Sequence, residues 1–193
     1  MELHYPHKPY QITQPWGNPN PMYSEQFGDP NFKRHNGIDA TVTFDPVTLK
    51  RATEYPVYCP AEGFRVTEVA YYPQGGGNQL GLMSKEQVIV GGRLCYVSIL
   101  LCHAKKILVK VGDEPKVGQL LMIADSTGFS TGLHTHMGVY RLTDKYRKMD
   151  VNDATGSYDP ALLFSRKFAV DVASYNTLFA SALRYYAYVL TGV

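Results

Sequence analysis

Between Val57 and Tyr140 the chain repeats one pattern: a short run of β-branched, aromatic and aliphatic residues, then a break of glycine, proline or asparagine. Breaks this frequent leave no room for long helices, whereas short strands fit between them. Phe64 to Tyr72 reads as one strand and Gly75-Gly76-Gly77-Asn78 as a flexible turn. Gln87 to Val90, Gly91-Gly92 and Arg93 to Leu101 read as a hairpin on a two-glycine turn. On its second strand Cys95, Val97, Ile99, Leu101 and His103 share one face. Leu94, Tyr96, Leu100 and Cys102 on the other face are also largely apolar, which predicts a central strand with a histidine at its end. Residues 107–111 and 116–123 add two short strands around turns. Residues 4–34, rich in Pro, Asn, Tyr and Gly, predict an irregular opening loop or short edge strands, and 41–56 a loop. The fold class expected is mainly β, with a compact antiparallel sheet core.

The composition changes after Leu142. Residues 143–158 are charged and polar, as in a linking loop. Asp159-Pro160 has the chemistry of a helix start, a capping carboxylate followed by proline in the first turn. Beyond it Phe168, Val172, Tyr175, Phe179, Ala182, Tyr186 and Leu190 recur at intervals of three and four. This predicts a C-terminal α-helical extension over 159–193, packed on a domain of 1–158 or on a partner. Tyr185 and Tyr188 lie off the stripe and point to docking on a larger assembly such as a phage tail.

A formal net charge of +2 and a pI near 8.3 argue against a nucleic-acid stripe. Three cysteines, Cys59, Cys95 and Cys102, lack Cys-x-x-Cys spacing and are expected as buried free thiols, not as disulfides or a zinc cluster. The first residues show no signal-peptide pattern, and no uninterrupted apolar run of about 18 residues predicts a membrane helix.

The chemistry gathers at Leu133-His134-Thr135-His136. On a strand His134 and His136 face one side, and Thr135 the other. Paired imidazoles can bind a metal and keep a proton carrier beside it. A catalytic zinc needs three protein ligands, and the candidates are His35, Asp39, His134 and His136. Asn36-Gly37 supplies the bend that brings His35 and Asp39 together, and one histidine of the later pair completes the set. The remaining imidazole and His103 would then serve proton transfer. No His-Glu-x-x-His helix exists, so a glutamate base of that kind is not available.

His35-x-Gly37-x-Asp39, His103, Val109 to Asp113 with Lys116 to Gln119, and Thr127-Gly128-x-Ser130-Thr131-Gly132-x-His134-x-His136 together resemble the M23 metallopeptidases. These are lysostaphin/LytM-type zinc endopeptidases of peptidoglycan peptides. Thr13-Gln14-Pro15-Trp16-Gly17 resembles their opening motif, and the similarity runs from about residue 10 to 142. The resemblance implies zinc held by His35, Asp39 and His136, with His103 and His134 as the non-ligand catalytic histidines. It also implies peptidoglycan cross-bridges or stem peptides as substrate and action at the bacterial cell wall; the missing leader pattern, the short chain and the expected tail helix fit a virion-associated or lysis-released enzyme. Departures are Thr135 where the family has Leu, Leu133 where it has Pro, Asp125 or Ala124 where it has Gly, Leu101 where it has Tyr, and a longer 40–55 loop. The alternative reading is a non-catalytic wall-binding or regulatory module on the same fold. The 109–121 pattern also resembles half of a lipoyl or biotinyl carrier motif, without a lysine at the hairpin tip that motif needs.

Overall fold

The computed structural model describes residues 1–19, 34–45, 50–150 and 155–169. Its strands are β1 (Leu3–Tyr5), β2 (Gln11–Gln14), β3 (Ile38–Thr41), β4 (Tyr55–Tyr58), β5 (Phe64–Tyr72), β6 (Gly77–Ser84), β7 (Val88–Val90), β8 (Arg93–Ile107), β9 (Leu120–Ala124), β10 (Thr135–Leu142) and β11 (Phe164–Phe168). The main sheet runs β2-β3-β10-β8-β6-β5 with antiparallel neighbours, while β4 pairs with β9 and β9 with the end of β8. No helix among the described residues is long and apolar enough to cross a membrane.

β8 organises this sheet. Its fifteen residues pair in turn with β7, with β10 and β6 on opposite edges, and with β9. The strand is central by its edges, but its faces differ: the face of Cys95, Val97, Ile99 and Leu101 is buried, whereas on the other Leu94 is exposed and Tyr96 and Leu100 are half-buried. Cys95, Val97, Ile99 and Leu101 point into the core with Leu80, Leu82, Met137 and Val139. The expected strand over Phe64–Tyr72 is β5 with those bounds. At the β7–β8 hairpin both Gly91 and Gly92 have positive φ, as a two-residue turn matched to strand twist requires. All three cysteines are free and buried.

The expected C-terminal helix is corrected by the structure. Asp159 does cap, accepting from the Ala161 amide at 2.9 Å, and Pro160 does open a turn. That turn is a single 3-10 turn, Pro160–Leu163, which leads straight into β11. β11 pairs in parallel with β1, and Phe164 stacks on Tyr5 with ring centroids 4.5 Å apart. Burial of Leu163 and this aromatic contact favour an extended segment over the helix that the capping signal suggests. No α-helix occurs among the described residues. The rest of the expected apolar stripe, from Val172 on, and with it the expected docking on a larger assembly, lies outside the described residues.

Candidate active site

β3 and β10 are neighbours, and their register sets Asp39 directly opposite His136. Along β3 burial alternates, so Ile38 and Ala40 enter the core while Asp39 turns to the groove face. His35 comes off the preceding bend. The result is a tight triangle: His35 Nε2 lies 3.1 Å from Asp39 Oδ1, His136 Nδ1 2.9 Å from the same oxygen, and the two nitrogens 3.0 Å apart.

Gly37 is required here for a reason other than bending. Its φ is not in the left-handed region; instead a Cβ would stand 2.5 Å from the Met137 carbonyl oxygen and 2.6 Å from the His136 ring. The imidazole of His136 occupies the space that any side chain at 37 would need. The opening motif has an equally local role. The Pro15 carbonyl accepts from His35 Nδ1 at 3.1 Å, and the Gly17 amide donates to the His35 carbonyl at 2.8 Å. Trp16 anchors that segment by donating from Nε1 to Ser157 Oγ at 3.0 Å.

With its Nδ1 hydrogen given to Pro15, the neutral His35 ring presents a lone pair at Nε2 towards a carboxylate oxygen. Three electron-pair donors converging in this way fit a cation. Zinc bonds of about 2.0–2.1 Å in tetrahedral geometry put donors roughly 3.3 Å apart, close to the spacing seen. His35, Asp39 and His136 could hold such an ion. Burial pushes the Asp39 carboxyl up, but when His136 and His35 carry a second ring proton their hydrogen bonds and charges outweigh it and hold it well below the usual carboxylate range. Burial lowers His136, against the pull of Asp39.

His134 stands at the rim of the triangle, with Nε2 3.7 Å from Asp39 Oδ1. Its Nδ1 donates to the Gly132 carbonyl at 2.8 Å and lies 3.3 Å from Ser130 Oγ. The His103 ring is 4.5 Å from that of His134 and 6.4 Å from that of His136, centroid to centroid. All five residues singled out in the sequence therefore meet in one place.

Strict alternation along β8 would put His103 in the core beside Leu101. Leu101 instead pairs with Leu80 and Ala104 with Asn78, so Cys102 and His103 together oppose the single residue Gln79. This β-bulge, with His103 at φ 66°, turns the imidazole to the groove and returns Ala104 to the core. Burial first, and then the charge of His134, lower the His103 pKa to about 4, so the ring is neutral near pH 7.

The site floors a groove of about 820 Å³. Leu100 and Cys102 line it from β8, together with Tyr72 at the end of β5 and Gly75, Gly76, Phe129 and Ser130 from the neighbouring loops. Gln14, Asn36, Gln79 and Phe129 are groove residues that sequence reasoning did not single out. A signal for Asn36 was its place between His35 and Gly37; Phe129 lay inside a motif already noted. Asn36 is steadied by donating to the Tyr140 hydroxyl at 3.0 Å. Thr135 points away from the groove, and its hydroxyl meets that of Tyr55 at 3.0 Å. Tyr55 also donates to the Ala40 carbonyl at 2.9 Å, so one phenol ties β3 and β10 together.

No family model matches the chain. Over 98 residues, 51% of its length, it is 34% identical to the glycyl-glycine endopeptidase ALE-1 of Staphylococcus capitis, and it covers 24% of that protein. The chain thus spans about a quarter of the length of this curated relative. Among solved structures, the catalytic domain of lysostaphin from Staphylococcus simulans shares the fold, with a TM-score of 0.54 and 24% identity over 79% of this chain and 90% of that one. A zinc-containing peptidase from Vibrio cholerae matches with a TM-score of 0.51 and 27% identity over 72% of this chain and 36% of that one.

Proposed function

We infer that this chain, an M23/LytM-type peptidase by its motifs and its relatives, is a zinc-dependent endopeptidase of bacterial peptidoglycan. The observation that carries the reading is the convergence of His35 Nε2, Asp39 Oδ1 and His136 Nδ1 within 3.1 Å of one another, on the floor of a groove that also holds two further imidazoles. On this reading His35, Asp39 and His136 hold the metal, and residues 1–158 make up the peptidase domain. A zinc ion so held supplies Lewis acidity towards a carbonyl oxygen and towards water.

The chain's own residues manage position and protons. Peptide hydrolysis needs a proton taken from the attacking water and one given to the departing amine. His134 and His103 each direct Nδ1–H to a backbone carbonyl, Gly132 and Thr127, so in the neutral ring Nε2 is the basic nitrogen. They stand side by side on the groove face, close enough to serve one substrate. Tyr72 and Phe129 line the groove and offer aromatic surface to a bound peptide. The substrate class is cell-wall peptide, with the glycyl-glycine bond named for ALE-1 and the D-amino-acid stem as the two cases to separate.

A wall-turbidity assay of the purified protein with and without chelator, alongside metal analysis, tests the reading. Clearing should require bound zinc and return on its addition. Metal-free protein that still clears walls would defeat it. Mass analysis of defined muropeptides then names the bond cut.

A further inference from the structure

His103 reaches the groove only because a bulge holds it in a left-handed backbone conformation, and such a conformation persists only where its surroundings over-determine it. The loop at 75–78 and the loop at 125–130 provide that. The His103 amide donates to the Gly76 carbonyl at 2.8 Å, and the His103 carbonyl accepts from the Asp125 amide at 3.0 Å. The imidazole Nδ1 donates to the Thr127 carbonyl at 2.8 Å. The two loops also touch each other. The Phe129 amide donates to the Gly75 carbonyl at 2.8 Å, and a Cβ on Gly128 would fall 2.2 Å from the Gly77 nitrogen. Gly77, at φ 62°, has no more room, since its Cβ would meet the Thr127 carbonyl at 2.4 Å.

One side chain locks this contact. Thr127 Oγ1 accepts from the Asn78 amide at 3.1 Å and donates to the Ala104 carbonyl at 2.9 Å. It thereby bonds to the start of β6 and to Ala104 of β8, the residue after His103. The Thr127 carbonyl takes the His103 ring hydrogen. We propose that Thr127 is a positioning residue for His103: it clamps the two loops into one wall and sets both the direction and the tautomer of that imidazole. The catalytic part of this proposal rests on the peptidase reading above; the clamp itself does not.

The zinc-loaded full chain and its Thr127→Val and Thr127→Ser variants test it. Valine keeps the shape but leaves the Asn78 amide without its acceptor; serine keeps the hydroxyl. Turnover of a defined wall peptide is read as kcat and KM, zinc content is measured, and the His103 Nδ1–H resonance is followed by NMR, assigned by its loss in His103→Ala. The expected result for Thr127→Val is a fall in kcat of roughly 10- to 100-fold with KM and zinc content retained, and exchange loss of the His103 resonance. Thr127→Ser should restore both to within about twofold. Thr127→Ala, which removes the hydroxyl without adding bulk, answers the same question if the valine variant does not fold. Retention of the resonance and of kcat without the hydroxyl overturns the proposal. So does an equal loss of zinc and turnover in the serine variant, which would mark a purely structural residue. A wild-type protein that cleaves no wall peptide defeats the peptidase reading, whereas the NMR comparison still decides the clamp.

Discussion

The two halves of the site are built by opposite means. At the triangle, His136 and Asp39 sit on regular ladder positions of neighbouring strands, and their meeting results from register alone. At the other half, His103 sits on an irregularity, where two residues of β8 face one of β6 and the backbone is left-handed. Regular geometry delivers donors that must agree to within tenths of an ångström. Irregular geometry delivers a group that must leave its strand's own pattern to reach the groove. On the proposed reading, the contrast teaches that ion holding and proton handling rest on separable supports, and substitutions should separate them.

The largest effect is expected at the regular half. Asp39→Asn should abolish zinc retention and bring turnover to background, checked by metal analysis beside the wall assay; bound zinc at wild-type level would break the comparison. His103→Ala should keep zinc yet lose roughly 10²- to 10⁴-fold in kcat. Loss of metal in that variant would show the halves to be one unit. Gly37→Ala should come next with a loss of roughly 100-fold and weaker zinc binding, because its methyl displaces the His136 ring. Smaller again is the tie between the ligand strands. Tyr55→Phe or Thr135→Val should each cost about 1–3 kcal/mol in chemical unfolding, and the double variant less than their sum, since removing both partners leaves no orphaned hydroxyl between them.

The last effect lies away from the groove and leaves activity near pH 7 untouched. Burial lowers the His7 pKa to about 3, against a raising contribution from its bond to the Pro9 carbonyl. Between pH 6.5 and 3 the unfolded chain therefore binds a proton at His7 that the folded chain refuses, and this part of the stability is lost as pH falls through that window. His7→Asn, which retains a donor for Pro9, should flatten the dependence of the thermal midpoint on pH. An unchanged slope would exclude His7 as its source.

Much of the site was legible because its spacing is dictated by contacts near in the chain or by strand period. His134 and His136 two apart on a strand, and the glycine two before Asp39, are of this kind. The apolar two-sided run of β8 announced its central place. Three things were not legible. The bulge at Cys102–His103 depends on loops far off in the chain on either side, at Gly76 and at Asp125, so strand alternation assigns His103 to the wrong face. The bend expected at Asn36-Gly37 is there, but the further reason for a glycine, the His136 ring packed against its Cα, shows only once the fold places that ring. At the C-terminal side, the Asp159 cap formed, but capping decides only a first turn. The path of the chain beyond that turn was decided by β1 and Tyr5, more than 150 residues earlier.

The left-handed backbone at 103 implies a trade between endurance and work. Histidine is a poor occupant of that torsional basin, and glycine a comfortable one. His103→Gly should thus survive heating better than His103→Ala while both stay idle, and selection for heat resistance alone would drift towards an inert protein at this position.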